Sequence, residues 1–157
     1  MGERARILVV DDDESVRKVL ATVLEEEGYV VDSAENGKEA IKKSKAKFYN
    51  LALIDIRLPD MQGTKLLTAM KETTPKMVKI IITGYPSLQN AIEAVNKGAD
   101  AYILKPFDMK KVLSKIKEHL KKQQEAKKYS QEKVTEFIET RVKELEKEKT
   151  VTHKKPR

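Results

Sequence analysis

Residues 7–13 read ILVVDDD, a run of four apolar residues followed directly by three aspartates. The run is too short for a helix and has no polar face, so it predicts a strand buried on both sides of a parallel sheet. Four further segments of strand type follow at 29–33, 51–54, 78–82 and 101–104. The intervals between them leave room for a helix in each connection, as parallel strands require.

Amphipathic helices are predicted between the strands and after the last one. Apolar residues at helical spacing mark each of the five helices. One such residue from each helix, in chain order, is Leu20, Ile41, Leu66, Ile92 and Ile116. Alternating strands and helices predict an α/β domain with a five-stranded parallel sheet and helices on both faces. In such a sheet, ligands bind at the carboxyl ends of the strands.

The composition excludes several classes of function. The chain of 157 residues has no cysteine, which excludes disulfide scaffolds, cysteine-ligated zinc and thiol catalysis. No apolar run is long enough to span a membrane and no secretion leader is visible, so we expect a cytoplasmic location and no membrane partner. The net charge of +7 arises entirely in residues 108–157, and this segment contains no glycine.

Polar residues follow four of the five predicted strands, and parallel strands bring their carboxyl ends to one edge of the sheet. Carboxylates that meet there repel one another unless a hard divalent cation joins them, and all-oxygen ligands favour Mg²⁺ or Mn²⁺. A lysine and a hydroxyl opposite the cation suit the oxygens of a phosphoryl group, and a glycine lets a backbone N–H come close. In chain order, these residues are Asp11, Asp12, Asp55, Thr83, Gly84 and Lys105.

The motifs, in this order and spacing, resemble the receiver domain of two-component response regulators, of the chemotaxis-regulator type. They are ILVVDD at 7–12, LIDIRLPDMQG at 53–63, IITG at 81–84 and KPF at 105–107, and the resemblance covers about residues 5–122. It implies a flavodoxin-like sheet of strand order 2-1-3-4-5. It also implies that a histidine kinase or phosphotransfer protein phosphorylates Asp55, which alters partner binding or dimerisation. Such a chain is not an enzyme in the ordinary sense, since it catalyses only its own Mg-dependent phosphorylation and dephosphorylation.

The resemblance implies a set of metal ligands. Asp12 and Asp55 would bind Mg²⁺ or Mn²⁺ directly, together with the backbone carbonyl of Arg57, and Asp11 would act through water.

Other implied roles concern the phosphoryl group. Thr83 and Lys105 would hold its oxygens, and the peptide bond from Lys105 to Pro106 would be cis. Thr83 and Tyr102 resemble the pair that moves on activation, in which the hydroxyl shifts toward the phosphate and the ring turns inward.

Two large side chains flank the expected phosphoryl position. Arg57 lies two residues after Asp55, and Tyr85 follows Gly84, two residues after Thr83. We hypothesise that both side chains shield the phosphoryl group from water and prolong the phosphorylated state. The alternative is that both point to solvent.

Two other functions use similar folds. A magnesium phosphohydrolase of the haloacid-dehalogenase type also carries an aspartate at a strand end, but it needs a second acid where this chain has Arg57. A nucleotide- or flavin-binding module would need a glycine-rich phosphate loop, and the six glycines form none.

The chain is predicted to comprise a receiver domain at 1–122 and a charged helical extension at 123–157. An apolar stripe in the extension includes Val134, Ile138 and Leu145, although the spacing is not a regular heptad. The stripe favours a homodimer through a coiled coil, with packing on the domain or a partly disordered tail as alternatives. Basic and acidic residues interleave there, and no helix-turn-helix motif is present, so sequence-specific nucleic acid binding is not expected.

Overall fold

The computed structural model describes residues 4–154, with the side chains of residues 4–149. Over this range, strands and helices alternate along the chain. The strands are β1 (Arg6–Val10), β2 (Val30–Ala34), β3 (Leu51–Ile54), β4 (Val78–Thr83) and β5 (Ala101–Leu104). The helices are α1 (Glu14–Glu26), α2 (Gly37–Ala46), α3 (Gly63–Ala69), α4 (Leu88–Asn96) and α5 (Met109–Lys154).

All five strands pair in parallel, in the order β2-β1-β3-β4-β5. The register aligns the last residues of neighbouring strands, since Val10 pairs with both Ala34 and Ile54. The carboxyl ends of the strands therefore share one edge. The predicted fold class and strand order are confirmed.

The sheet separates two apolar clusters, because alternate residues of a strand point to opposite faces. Leu8, Val10 and Ile54 belong to the cluster that contains residues of α2, α3 and α4. Ile7 and Val9 belong to the other cluster, which contains residues of α1 and of the first turns of α5. Both faces are thus covered by helices, which explains why β3 is wholly apolar and β1 is apolar after Arg6.

Gly63 begins α3 at a point where the chain passes very close to the two residues that follow β3. Its backbone N–H donates a hydrogen bond of 2.6 Å to the Ile56 carbonyl oxygen. A Cβ atom on Gly63 would collide with the Asp55 carbonyl oxygen and would lie 2.9 Å from Ile56 Cα. Only glycine leaves the space for this contact, which fixes α3 against the segment that follows Asp55.

The long helix α5 runs without interruption from Met109 to Lys154. The chain divides into two compact units between Lys121 and Lys122. The predicted extension is helical over residues 123–154, and residues 155–157 lie outside the described residues.

Among the described helices, none has both the length and the apolar character to cross a membrane.

We expect Gly63→Ala to lower the free energy of unfolding by about 2 kcal/mol, because the added methyl group would force the backbone of α3 away from Asp55 and Ile56. Gly84→Ala is the matched control, since a Cβ atom there would lie 3.7 Å from Lys105 Cβ, an ordinary contact. We expect this control to change the free energy by no more than about 0.5 kcal/mol. Urea unfolding measures both variants, and equal losses would contradict the steric argument.

Candidate functional site

A cleft of about 720 Å³ opens at the carboxyl edge of the sheet. Residues from the ends of β1, β3, β4 and β5 line it, so the parallel sheet gathers segments that are far apart in the sequence. The lining residues are Asp11, Asp12, Asp13, Asp55, Arg57, Leu58, Pro59, Gly84, Tyr85 and Lys105.

Three carboxylates form an acidic cluster in this cleft. Asp11, Asp12 and Asp55 each offer an oxygen, and these oxygens lie within 4.8 Å of one another. Asp11 and Asp55 are 3% and 5% exposed, whereas Asp12 is open to solvent. A cluster of oxygen ligands with no histidine or cysteine matches the preference of Mg²⁺, Mn²⁺ or Ca²⁺, so the residues fit a hard divalent cation.

Lys105 bridges the two buried carboxylates. Its Nζ atom donates hydrogen bonds of 2.7 Å to Asp11 Oδ2 and of 3.1 Å to Asp55 Oδ2. The backbone N–H of Lys105 also donates to the Thr83 carbonyl oxygen at 2.7 Å, which ties the end of β5 to the end of β4. The peptide bond between Lys105 and Pro106 is cis.

Burial and charge act together on these groups. Burial raises the pKa of Asp55, the nearby Asp11 carboxylate raises it further, and Lys105 opposes both effects. Burial lowers the pKa of Lys105, but its hydrogen bonds and charge interactions with the two carboxylates outweigh this effect, so the net pKa is raised. The lysine therefore stays protonated and neutralises part of the acidic cluster.

Thr83 is fully buried at the end of β4, and its Oγ1 accepts a hydrogen bond of 2.9 Å from the Tyr85 N–H. Gly84 follows it, and a Cβ atom there would meet only the Lys105 side chain, at ordinary distances. The ring of Tyr102 on β5 packs against the cluster between the sheet and α2, α3 and α4. Burial raises the pKa of the Tyr102 hydroxyl, with an opposing effect from the backbone of Ser87.

Arg57 and Tyr85 form a stacked pair at the rim of the cleft. The Arg57 guanidinium carbon lies 3.8 Å from the centroid of the Tyr85 ring, a cation–π contact. Both residues are exposed, and both also line the cleft. The structure therefore combines features of the two alternatives, in which these side chains either shield the site or face solvent.

Sequence reasoning missed one residue that supports the acidic cluster. Arg17 in α1 donates a hydrogen bond of 2.7 Å to the backbone carbonyl oxygen of Asp11. Asp13 caps the same helix by accepting from the N–H groups of Ser15 and Val16, at 2.8 and 3.3 Å. The only signal for Arg17 was its position one turn into a helix that follows the aspartates.

The chain is similar to curated regulatory proteins and to solved receiver structures. It is 40% identical over 119 residues to the transcriptional regulatory protein ZraR of Klebsiella oxytoca, covering 76% of this chain and 27% of ZraR. It is 46% identical to a solved CheY-like response regulator receiver domain protein from Methanospirillum hungatei JF-1. That comparison has a TM-score of 0.76 and covers 79% of this chain and 99% of the other.

A second solved structure carries a modified residue and an ion. It is a response regulator protein from Burkholderia pseudomallei with a phosphorylated aspartic acid, a calcium ion and citrate. The identity is 32% and the TM-score 0.64, and the match covers 70% of this chain and 65% of the other.

The family match covers most of the chain. Residues 7–117 match the response regulator receiver domain family. The chain spans about a quarter to a half of the length of the first curated relatives that it matches. Because this match agrees with the sheet order and the acidic cleft, the chain belongs to the response regulator receiver domain family of two-component signal transduction.

Proposed function

We propose that the chain is a phosphorylation-dependent switch in which Asp55 accepts a phosphoryl group from a histidine kinase or a phosphotransfer protein. The observation that carries this proposal is the position of the Asp55 carboxylate, 3.1 Å from Lys105 Nζ and within 4.8 Å of Asp11 and Asp12. The phosphorylated aspartic acid and calcium ion in the Burkholderia pseudomallei protein support it.

The transfer needs orientation and charge neutralisation more than covalent catalysis. An Asp55 carboxylate oxygen attacks the phosphorus of phosphohistidine, the P–N bond breaks, and the electron pair returns to the imidazole nitrogen. The phosphoryl group then brings almost two negative charges into the cleft. The Lys105 ammonium group would pair with its oxygens, and the Thr83 hydroxyl would donate to them.

A divalent cation, Mg²⁺ or Mn²⁺, would supply the remaining positive charge at the transferring group. We propose that Asp12, Asp55 and the Arg57 carbonyl hold it directly and that Asp11 acts through water. The oxygen-only acidic cluster supports this assignment.

The response to phosphorylation is proposed to pass through Thr83 and Tyr102. Thr83 would exchange its present contact with the Tyr85 N–H for the phosphoryl group. That movement would change the space beside the Tyr102 ring. A local charge change that biases two packings of one surface is how such modifications act at a distance.

The competing functions have less support. A haloacid-dehalogenase-type phosphohydrolase finds no support in the family match, and the position two residues after Asp55 holds Arg57 rather than an acid. We propose that the chain catalyses only its own phosphorylation and dephosphorylation. The predicted cytoplasmic location stays a prediction.

We propose the receiver domain at 1–122 and the helical extension at 123–157 as the working division of the chain. The relatives include a protein named as a transcriptional regulator, but this chain spans about a quarter of it. The expectation that these 157 residues do not bind nucleic acid in a sequence-specific way therefore stays a prediction.

We also propose that two chains associate through the extension. Its apolar stripe is about half or more exposed, at 46–71% for each side chain. Acidic and basic residues flank the stripe, and one such pair is the 3.0 Å contact between Arg141 and Glu144. An amphipathic helix of this kind is stabilised when a second helix covers the stripe. The stripe consists of Val134, Phe137, Ile138, Val142 and Leu145.

Incubation with acetyl phosphate and Mg²⁺ should add one labile phosphoryl group, and Asp55→Asn should abolish the addition because the amide cannot act as the nucleophile. Asp108→Asn is the matched control: the residue is exposed and outside the cleft, and we expect full phosphorylation. Intact-protein mass spectrometry measures both. Continuous release of phosphate without a stable adduct would indicate a hydrolase, and no reaction at all would contradict the proposal.

We expect Arg57→Ala and Tyr85→Ala each to speed loss of the phosphoryl group by about two- to fivefold, since an exposed cation–π pair is worth about 0.5–1 kcal/mol. The double variant should be no faster than the faster single variant, because either change breaks the pair. Val19→Ala is the control, since Val19 and Tyr85 are both 51% exposed. If neither variant alters the decay of the phosphorylated protein, the shielding hypothesis is wrong.

Ile138→Glu should weaken self-association at least about tenfold, because each chain would lose about 1.5 kcal/mol of apolar burial in the dimer. Thr140→Glu adds the same charge on the opposite side of α5 and should leave association unchanged. Sedimentation equilibrium measures the association constant. A monomeric native chain, or equal effects of both variants, would contradict the dimer proposal.

A further inference from the structure

The loop between β3 and α3, residues 57–62, is joined to the amino end of α2. Asp60 Oδ1 accepts a hydrogen bond of 2.8 Å from the Gly37 N–H, and Asp60 Oδ2 accepts one of 2.9 Å from the Lys38 N–H. These are the first two residues of α2. One carboxylate thus connects two segments that are more than 20 positions apart in the chain.

A second contact lies beside the first. A Cβ atom on Gly37 would overlap the sulfur of Met61 and would lie 2.7 Å from its Cε atom. The Met61 side chain therefore fills the space that a larger residue at the start of α2 would occupy. The loop is held to α2 by hydrogen bonds through Asp60 and by packing through Met61.

The loop is also closed on itself, so that a shift at Asp60 reaches Arg57. Arg57 and Gln62 form an isolated antiparallel bridge, and the Leu58 N–H donates to the Met61 carbonyl oxygen at 3.3 Å. The Arg57 N–H in turn donates to Asp55 Oδ1 at 3.3 Å. The loop cannot move away from α2 without disturbing the backbone of Arg57.

The amino end of α2 has a cap residue of its own beside the Asp60 contact. Asn36 Oδ1 accepts a hydrogen bond of 2.8 Å from the Glu39 N–H. The Glu39 side chain in turn accepts one of 3.1 Å from the N–H of Glu35, the residue before the cap. The Asn36 side chain serves the Glu39 N–H, and Asp60 serves the Gly37 and Lys38 N–H groups that the cap leaves over, so the same two bonds anchor the loop to α2.

We propose that Asp60 is a positioning residue that fixes the 57–62 loop on α2 and so presets the Arg57 carbonyl for the divalent cation. The inference rests on the proposed function, in which that carbonyl is a ligand. Residues that orient metal ligands without touching the metal affect its affinity substantially. By linkage, binding of the cation must stabilise the contact between the loop and α2 to the same extent.

Titration of the full chain with Mg²⁺ by isothermal calorimetry tests the inference. We expect Asp60→Ala to weaken Mg²⁺ binding roughly tenfold. Asn36→Ala is the matched control, since it removes a cap at the same end of α2 without touching the loop, and we expect its affinity to equal that of the native chain. An unchanged affinity in Asp60→Ala, or an equal loss in Asn36→Ala, would overturn the inference.

A second variant separates the hydrogen bonds from the charge. Asp60→Asn removes the negative charge as fully as Asp60→Ala does, but it keeps one acceptor oxygen for α2. We expect an affinity between those of the native chain and Asp60→Ala. An affinity as low as that of Asp60→Ala would mean that the charge alone matters, which would contradict the anchor.

Amide hydrogen exchange without metal supplies a readout that does not depend on the cation. We expect faster exchange at Leu58 and Gly63 in Asp60→Ala than in Asn36→Ala, because both N–H groups lie in or beside the released loop. Equal exchange in the two variants would overturn the inference even if the native chain binds Mg²⁺. Failure of the native chain to bind Mg²⁺ would instead overturn the proposed function, and the inference with it.

Discussion

The receiver cleft depends on one ammonium group placed between two nearly buried carboxylates. Lys105 Nζ lies 2.7 Å from Asp11 and 3.1 Å from Asp55. Burial and the charge of Asp11 both raise the pKa of Asp55, and Lys105 opposes them. A buried charge left without a partner is strongly destabilising. The lysine can supply its charge only if β5 ends at the same edge of the sheet as β1 and β3. The acidic cluster therefore requires a parallel sheet with aligned carboxyl ends.

The loops beside this cluster are held by contacts that reach in from the helices. Arg17 fixes the backbone of Asp11 from α1, and Asp60 ties the 57–62 loop to α2. The cleft is thus surrounded by elements that are packed or hydrogen-bonded before any ligand arrives. Such preorganisation suits a site whose main task is to orient a phosphoryl group and balance its charge.

Most of the fold could be predicted from the sequence, because the apolar periodicity identifies the strands and helices. The intervals between the strands are long enough for a helix in each connection, which leaves few possible arrangements of the sheet. β3 and β5 have the predicted bounds, whereas β2 is shifted by one residue, since the Ala34 carbonyl accepts a hydrogen bond from the Asp11 N–H. The convergence of strand-end residues followed from the parallel sheet. The contacts of Arg17 and Asp60 did not, because they depend on loop conformations that no periodic pattern encodes. The crowding at Gly37 and Gly63 likewise arises from loop packing, which the sequence pattern does not reveal.

The sheet divides the apolar interior into two clusters, and this division affects which amino-acid substitutions the protein can accept. Side chains on one face, such as Leu8 and Ile54, share no cluster with those on the other, such as Ile7 and Val9. A volume change in one half reaches the other only through the strand backbones, so substitutions in the two halves should combine almost additively. Lineages can therefore remodel the α1 and α5 side independently of the α2 to α4 side, while the carboxyl edge between them keeps its geometry.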